Sequence, residues 1–226
     1  MNTSLRIGFR RVCAPITVPE TKFGGDPVWI DGATWPLSKR LGTPMQFIAQ
    51  VAVDPRQFPN AVARMAYVFI TEPGDAADTW DPDSGENAVI LQPGLPVSGA
   101  HAPLYTGPSL MTPPEAPVIG KPEWQRFEYA ADLTLQTEPP FVPFYERLQN
   151  HSREEGERYW KAVGGHKIGG SRYSHEEDWA PYAESRLLLQ FDGAYGSPFF
   201  VNFGDGGSAW AVANADVTAA KFCWVG

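Results

Sequence analysis

The chain has 226 residues, 43% of them hydrophobic and 19% charged, with 26 Asp plus Glu against 18 Lys plus Arg and a formal net charge of -8. A chain of this size buries roughly 70% of its unfolded surface, and its two cysteines, Cys13 and Cys223, stand at opposite ends, so a disulfide-built scaffold is excluded. The acid excess argues against direct nucleic-acid binding, which relies on clustered Lys and Arg.

The two thiols read as free and buried in a reducing compartment. Composition is also informative about fold, because 22 Gly, 22 Pro, 8 Trp, 8 Tyr and 13 Phe favour short strands joined by turns over long helices. At the N-terminus, Arg10-Arg11 invites a twin-arginine export reading, but Val12 to Ile16 is too short for the apolar core of such a signal and ends beside prolines. The longest apolar runs, Met65 to Ile70 and Ala209 to Ala213, fall far short of the roughly 18 residues of a membrane span. A cytoplasmic protein without membrane contact is expected.

Further along, one pattern occurs twice. Lys22-Phe23-Gly24-Gly25, Trp29, Phe47-Ile48-Ala49-Gln50-Val51 and Ala66-Tyr67-Val68-Phe69-Ile70 are followed, in the same order, by Lys167-Ile168-Gly169-Gly170, Trp179, Leu187-Leu188-Leu189-Gln190-Phe191 and Ala209-Trp210-Ala211-Val212. The second glycine precedes the glutamine by 25 residues in the first copy and by 20 in the second, which suggests a duplication with loop-length differences. Each copy reads as strand, Gly-Gly turn, loop, central strand, connector, strand. A glutamine inside an apolar strand needs hydrogen-bond partners, so Gln50 and Gln190 read as buried amides held by the facing Gly-Gly turns, or else as ligand contacts. Between the first copy's last two strands, Asp54 caps a short helical turn over Asp54 to Arg64, with Pro55 at its first position.

The segment from Thr71 to Gly120 is of another kind: nine prolines, seven acids and no Lys or Arg. Six acids, Glu72, Asp75, Asp78, Asp81, Asp83 and Glu86, crowd one loop around Trp80, broken by Pro73, Gly74, Pro82 and Gly85. Such a loop is either a solvated surface or an electrostatic docking site with Trp80 as its apolar anchor. Phe144 to Val163 then reads as one long helix with Tyr145, Leu148, Tyr159, Trp160 and Val163 on its apolar face, ended by Gly164-Gly165.

Catalytic signals are sparse. His101, His151, His166 and His175 show no helical zinc spacing, and His175-Glu176-Glu177-Asp178 reads as a polar loop before it reads as a metal site. No Gly-x-Ser-x-Gly elbow occurs, neither cysteine has a neighbouring His, and Gly204-Asp205-Gly206-Gly207-Ser208 lacks the Lys of a phosphate loop, so it reads as a turn between strands at Phe199 to Phe203 and Ala209 to Ala213. The expectation is a protein that is not an enzyme, with no catalytic residues, no metal and no cofactor.

Lys22-Phe23-Gly24-Gly25-Asp26-Pro27, Trp35-Pro36, Phe47 to Val53, Lys167 to Gly170, Leu187 to Phe191 and Gly204 to Gly207 together resemble the YwqG-like family of bacterial domains of unknown function. The resemblance covers about residues 20–70 and 165–225. It departs at Asn60-Ala61-Val62-Ala63-Arg64, where the family has a Pro-x-x-Gly lead-in, and residues 71–140 match nothing in it. The family carries no activity that transfers residue by residue. Some relatives look like immunity proteins encoded beside polymorphic or type VI secreted toxins, which implies an antitoxin that binds a cognate toxin domain, a basic nuclease being the class that an acidic inhibitor suits.

The fold expected from all this is α+β and predominantly β: a single domain of two related halves (20–70 and 165–225), a Pro-rich acidic insertion (71–140) and one long helix (144–163). Its expected function is toxin neutralisation by protein contact through Glu72, Asp75, Asp78, Trp80, Asp81, Asp83 and Glu86. The alternative is a small-ligand or peptide-binding module whose cleft between the halves is walled by Trp29, Trp179, Gln50 and Gln190.

Overall fold

A computed structural model describes residues 2–71, 78–94, 107–112, 125–174, 180–182, 184–204 and 207–226. The chain runs through β1 (Asn2–Arg11), β2 (Lys22–Gly24), β3 (Gln46–Ala52), β4 (Met65–Ile70), β5 (Asn87–Gln92), β6 (Met111–Thr112), β7 (Gln125–Arg126) and β8 (Glu128–Glu138). It continues through α1 (Phe144–Asn150), α2 (Arg153–Val163), β9 (Lys167–Gly169), β10 (Arg186–Asp192), β11 (Ser208–Ala213) and β12 (Ala220–Val225). Ten strands form one antiparallel sheet in the order β12-β11-β10-β9-β1-β8-β2-β3-β4-β5, and β6 and β7 make a small separate ribbon.

The sheet curls until its two edges, β12 and β5, lie against each other, giving a nearly closed barrel. Side chains fasten the seam: the Lys221 ammonium meets Asp83 at 2.5 Å, and the Trp224 indole N–H donates to Thr79 Oγ1 at 3.2 Å. Covering both edges in this way removes the template that an open sheet offers to other chains.

The period-2 alternation of each strand separates the barrel interior from its outer face. On β4, Ala66, Val68 and Ile70 join the main core while Met65, Tyr67 and Phe69 face outward, packing with Trp29, Ile30 and Met45. On β11, Ala209, Ala211 and Ala213 point inward and Trp210 and Val212 outward. The inward alanines leave room for rings: Phe23 stands edge-on to Phe191 at 5.5 Å and stacks on Phe199 at 5.8 Å.

β1 precedes β2–β5 in sequence but pairs with β9 of the second half, and β8 precedes β9–β12 but pairs with β2 of the first. The leading strands are thus exchanged, and they also pair with each other from Asn2↔Glu138 to Arg11↔Tyr129. Separating the halves would break the longest strand pair in the molecule.

These findings overturn the α+β class with one long helix. Strand far exceeds helix among the described residues, and the expected helix over 144–163 is two short ones broken at His151. The cause is local: His151 adopts extended backbone, and Ser152 starts a new helix through a reciprocal capping box with Glu155. α1 buries nothing, leaving Tyr145 and Leu148 exposed, whereas Tyr159 and Val163 of α2 are buried. β5 and β8, both inside the segment read as an insertion, are members of the main sheet. Phe199 to Phe203 is not a strand, Asp54 to Arg64 forms no helix but two separate turns, one closed by the Gln57 and Phe58 N–H groups on the Asp54 carbonyl and one by the Ala61 N–H on the Phe58 carbonyl, and Cys13 is exposed.

Candidate functional site

The polar groups buried on the outer face of the sheet, beneath the loops that cover it, are repeated in the two halves. Lys22 and Lys167 are 1% and 0% exposed, and each ammonium meets a carboxylate from β8: Lys22 meets Glu128, and Lys167 meets both oxygens of Glu138 at 2.8 and 2.9 Å. Each lysine also donates to the carbonyl four residues on, Asp26 and Ser171. Each glutamine accepts from the N–H six residues past its lysine, Val28 to Gln50 at 2.8 Å and Tyr173 to Gln190 at 2.9 Å. The carbonyls of Val28 and Tyr173 in turn accept from Tyr67 OH and Trp210 Nε1. Both glutamines are fully buried, but they hold the segments flanking the Gly-Gly turns rather than the turns themselves. Burial lowers both lysine pKa values against the pull of their glutamates, that of Lys167 to about 8.

The acidic loop divides. Glu72 and Asp75 lie outside the described residues, as do Trp179 and the His175 to Asp178 cluster. Glu86 is 3% exposed and works inside the fold, accepting from Ser38 Oγ at 2.6 Å, Thr71 Oγ1 at 2.8 Å and the Arg40 N–H at 2.8 Å. Burial acts to raise its pKa, but those hydrogen bonds and the Arg40 charge hold it below the ordinary carboxyl value. Asp83 is tied to Lys221 at the seam, and Asn87 Nδ2 donates to the carbonyls of Thr79 and Asp81. On this pinned base sit Asp78, exposed in left-handed backbone, the half-buried Asp81 and Trp80, 54% exposed.

A cleft of about 470 Å³ opens between the halves, formed by Arg56, Gln57 and Phe58 from the first and by residues 169–172 and 185–187 from the second. Its lining differs from the expected walls, since Trp29 is buried among aromatic rings and the two glutamines are enclosed. A smaller cleft of about 240 Å³ contains His166, Asp192 and Ser197. These are not wired as a nucleophile and base. His166 Nε2 donates to the Gly196 carbonyl at 2.7 Å, Nδ1 faces the Asp192 N–H at 3.4 Å, and Ser197 Oγ donates to the Phe199 carbonyl. Burial lowers the His166 pKa and keeps the ring neutral.

Sequence reasoning missed the buried lysines, although a Lys two residues ahead of Gly-Gly in both copies was the available signal. The architecture defines a nearly closed antiparallel β-barrel whose two halves share one buried polar scheme on its outer face. The chain belongs to the DUF1963 family, a domain of unknown function, whose model matches residues 21–225. No curated protein matches it. No helix among the described residues is long and apolar enough to cross a membrane.

Proposed function

We propose that this chain is a cytoplasmic immunity protein that binds a toxin domain, with a basic nuclease as the partner class, and neutralises it by protein contact. The observation that carries the reading is Trp80, half-exposed beside Asp78 and Asp81 on a loop anchored by Glu86, Asn87 and the Lys221–Asp83 pair. A large exposed aromatic among acids is the pattern of an interface anchor, and acidic groups speed association with a basic surface. The YwqG-like resemblance supplies the biological setting. The alternative, a small-ligand module, is supported by a different feature, the cleft between the halves.

The test changes the outward groups of the loop and keeps the hydrogen bond that Asp81 Oδ1 accepts from the Asp83 N–H at 2.9 Å. A tagged triple variant, Asp78→Asn, Trp80→Ala and Asp81→Asn, which removes both charges but keeps the Oδ1 acceptor at 81 and a residue suited to the left-handed backbone at 78, is compared with the parent by affinity capture from lysate of its own host at low and moderate salt. The parent is expected to retain one stoichiometric basic protein, which kills cells lacking the immunity protein, and the triple variant is expected to lose it without melting earlier. Protection by the triple variant equal to the parent's would rule out this loop. Nothing retained from cells that express the toxin would rule out the immunity reading. Glu86→Ala serves as contrast: it is expected to cost about 1–3 kcal/mol of stability, read by urea unfolding, because two hydroxyls and an N–H lose their acceptor.

A further inference from the structure

We propose that the cleft between the halves binds a small anionic ligand, one that carries phosphate or carboxylate groups on an apolar body. The site shares no lining residue with the Trp80 loop, so it stands or falls separately from the immunity reading.

Three arginines, Arg56, Arg172 and Arg186, line the cleft, and none of its described lining residues is Asp or Glu. The guanidinium carbon of Arg172 lies 5.7 Å from the Phe141 ring centroid and 5.8 Å from that of Trp210. Arg56 pairs with Asp54 at 2.6 Å outside the cleft lining and remains 73% exposed, so its outer edge can still donate. Arg186, the first residue of β10, is exposed, and among the described residues no carboxylate lies within salt-bridge distance of it. Guanidinium forks match the paired oxygens of carboxylate and phosphate, and a concave wall strengthens their field. Phe58, Phe141, Leu187 and Val212 add apolar surface beside them. A volume of about 470 Å³ suits a small organic molecule.

The first half supplies an internal comparison. Its own Gly-Gly turn also borders a cleft, of about 290 Å³, which contains Arg126, but there Asp26 neutralises the arginine at 2.7 Å. Asp26 follows Gly25 directly, and the residue that follows Gly170 is Ser171. The same turn therefore carries an arginine-paired acid in one half, and in the other a hydroxyl stands in the place of that acid.

Phenyl phosphate and phthalate are titrated calorimetrically into the full chain, with pyrophosphate as a probe that lacks the apolar body. One of the two aromatic anions is expected to bind one to one, more tightly than pyrophosphate, and to raise the melting temperature. The phosphate and carboxylate arms identify the headgroup. Arg186→Ala is expected to weaken binding about tenfold, and Arg186→Glu to abolish it, with unliganded melting unchanged. Arg10→Ala, on β1 away from the cleft, is expected to bind as the parent does. The proposal is overturned if no probe binds at about 10 mM, a concentration that would detect even feeble contacts. It is equally overturned if Arg186→Ala and Arg56→Ala bind the anions as well as the parent.

Discussion

Replacing Lys167 with Met is expected to lower the free energy of unfolding by about 3–5 kcal/mol, measured by urea denaturation, because it takes from the buried Glu138 carboxylate the ammonium that contacts both of its oxygens and leaves only the more distant Arg6. Glu138 is held by more than its lysine. It also accepts from Ser4 Oγ at 2.6 Å and from the Ser171 N–H at 2.9 Å, with Arg6 at 3.6 Å. For that reason the double variant Lys167→Met with Glu138→Leu is expected to stay below the parent, whereas a self-contained buried pair is often replaced by apolar residues without loss. A double variant as stable as the parent would show that the hub is dispensable.

The same residue sets a pH dependence whose sign follows from its lowered pKa. With burial bringing Lys167 from 10.5 to about 8, the unfolded chain holds the proton throughout the window between these values, and the folded chain has released it. Stability contributed by this group therefore rises with pH across the window and is lost as pH falls through about 8. The Met variant lacks that slope. Its stability deficit is expected to widen from pH 8 upward, and a deficit that narrows instead would place the titration elsewhere.

How much of this was legible in the residues depended on whether the signal was local. β3, β4, β10 and β11 show as apolar runs because both faces of each are buried, and the positive φ values of Gly24 and Gly169 suit paired glycines. β1 and β8 gave no such signal. Much of each is exposed, with Arg10 and Asp132 pairing on the surface, so their sequences look like linker, and their partners lie far away along the chain. The capping box at Ser152 was local and readable, yet the mixed charges around it imitate one continuous helix. Among the site residues, acidity located the loop but could not tell the outward Asp78 from the inward Glu86, because burial of Glu86 depends on Ser38 and Thr71 arriving from other elements. The arginine cleft was hidden for the same reason: Arg56, Arg172 and Arg186 come from three separate stretches that meet only in the folded chain.

Gly170→Val is expected to be the most damaging single change, costing about 4 kcal/mol or more, since it combines two independent penalties. The residue lies at φ +77, in the left-handed region that a β-branched side chain resists. A Cβ there would also stand 2.3 Å from Glu138 Oε2 and 2.8 Å from Ser4 Cβ. The carboxylate cannot retreat, because the bonds to Lys167 and Ser171 fix it. Gly42 separates the two penalties: it has φ +66, and a Cβ would meet nothing within 4 Å. Gly42→Val should then lose only the backbone share, about 1–2 kcal/mol. The excess loss at Gly170, read from parallel urea unfolding curves, measures how rigidly the turn is clamped onto the buried carboxylate. If the two variants unfold at the same urea concentration, Glu138 is free to move, and the tight interior pairing on which the Lys167 prediction rests is wrong as well.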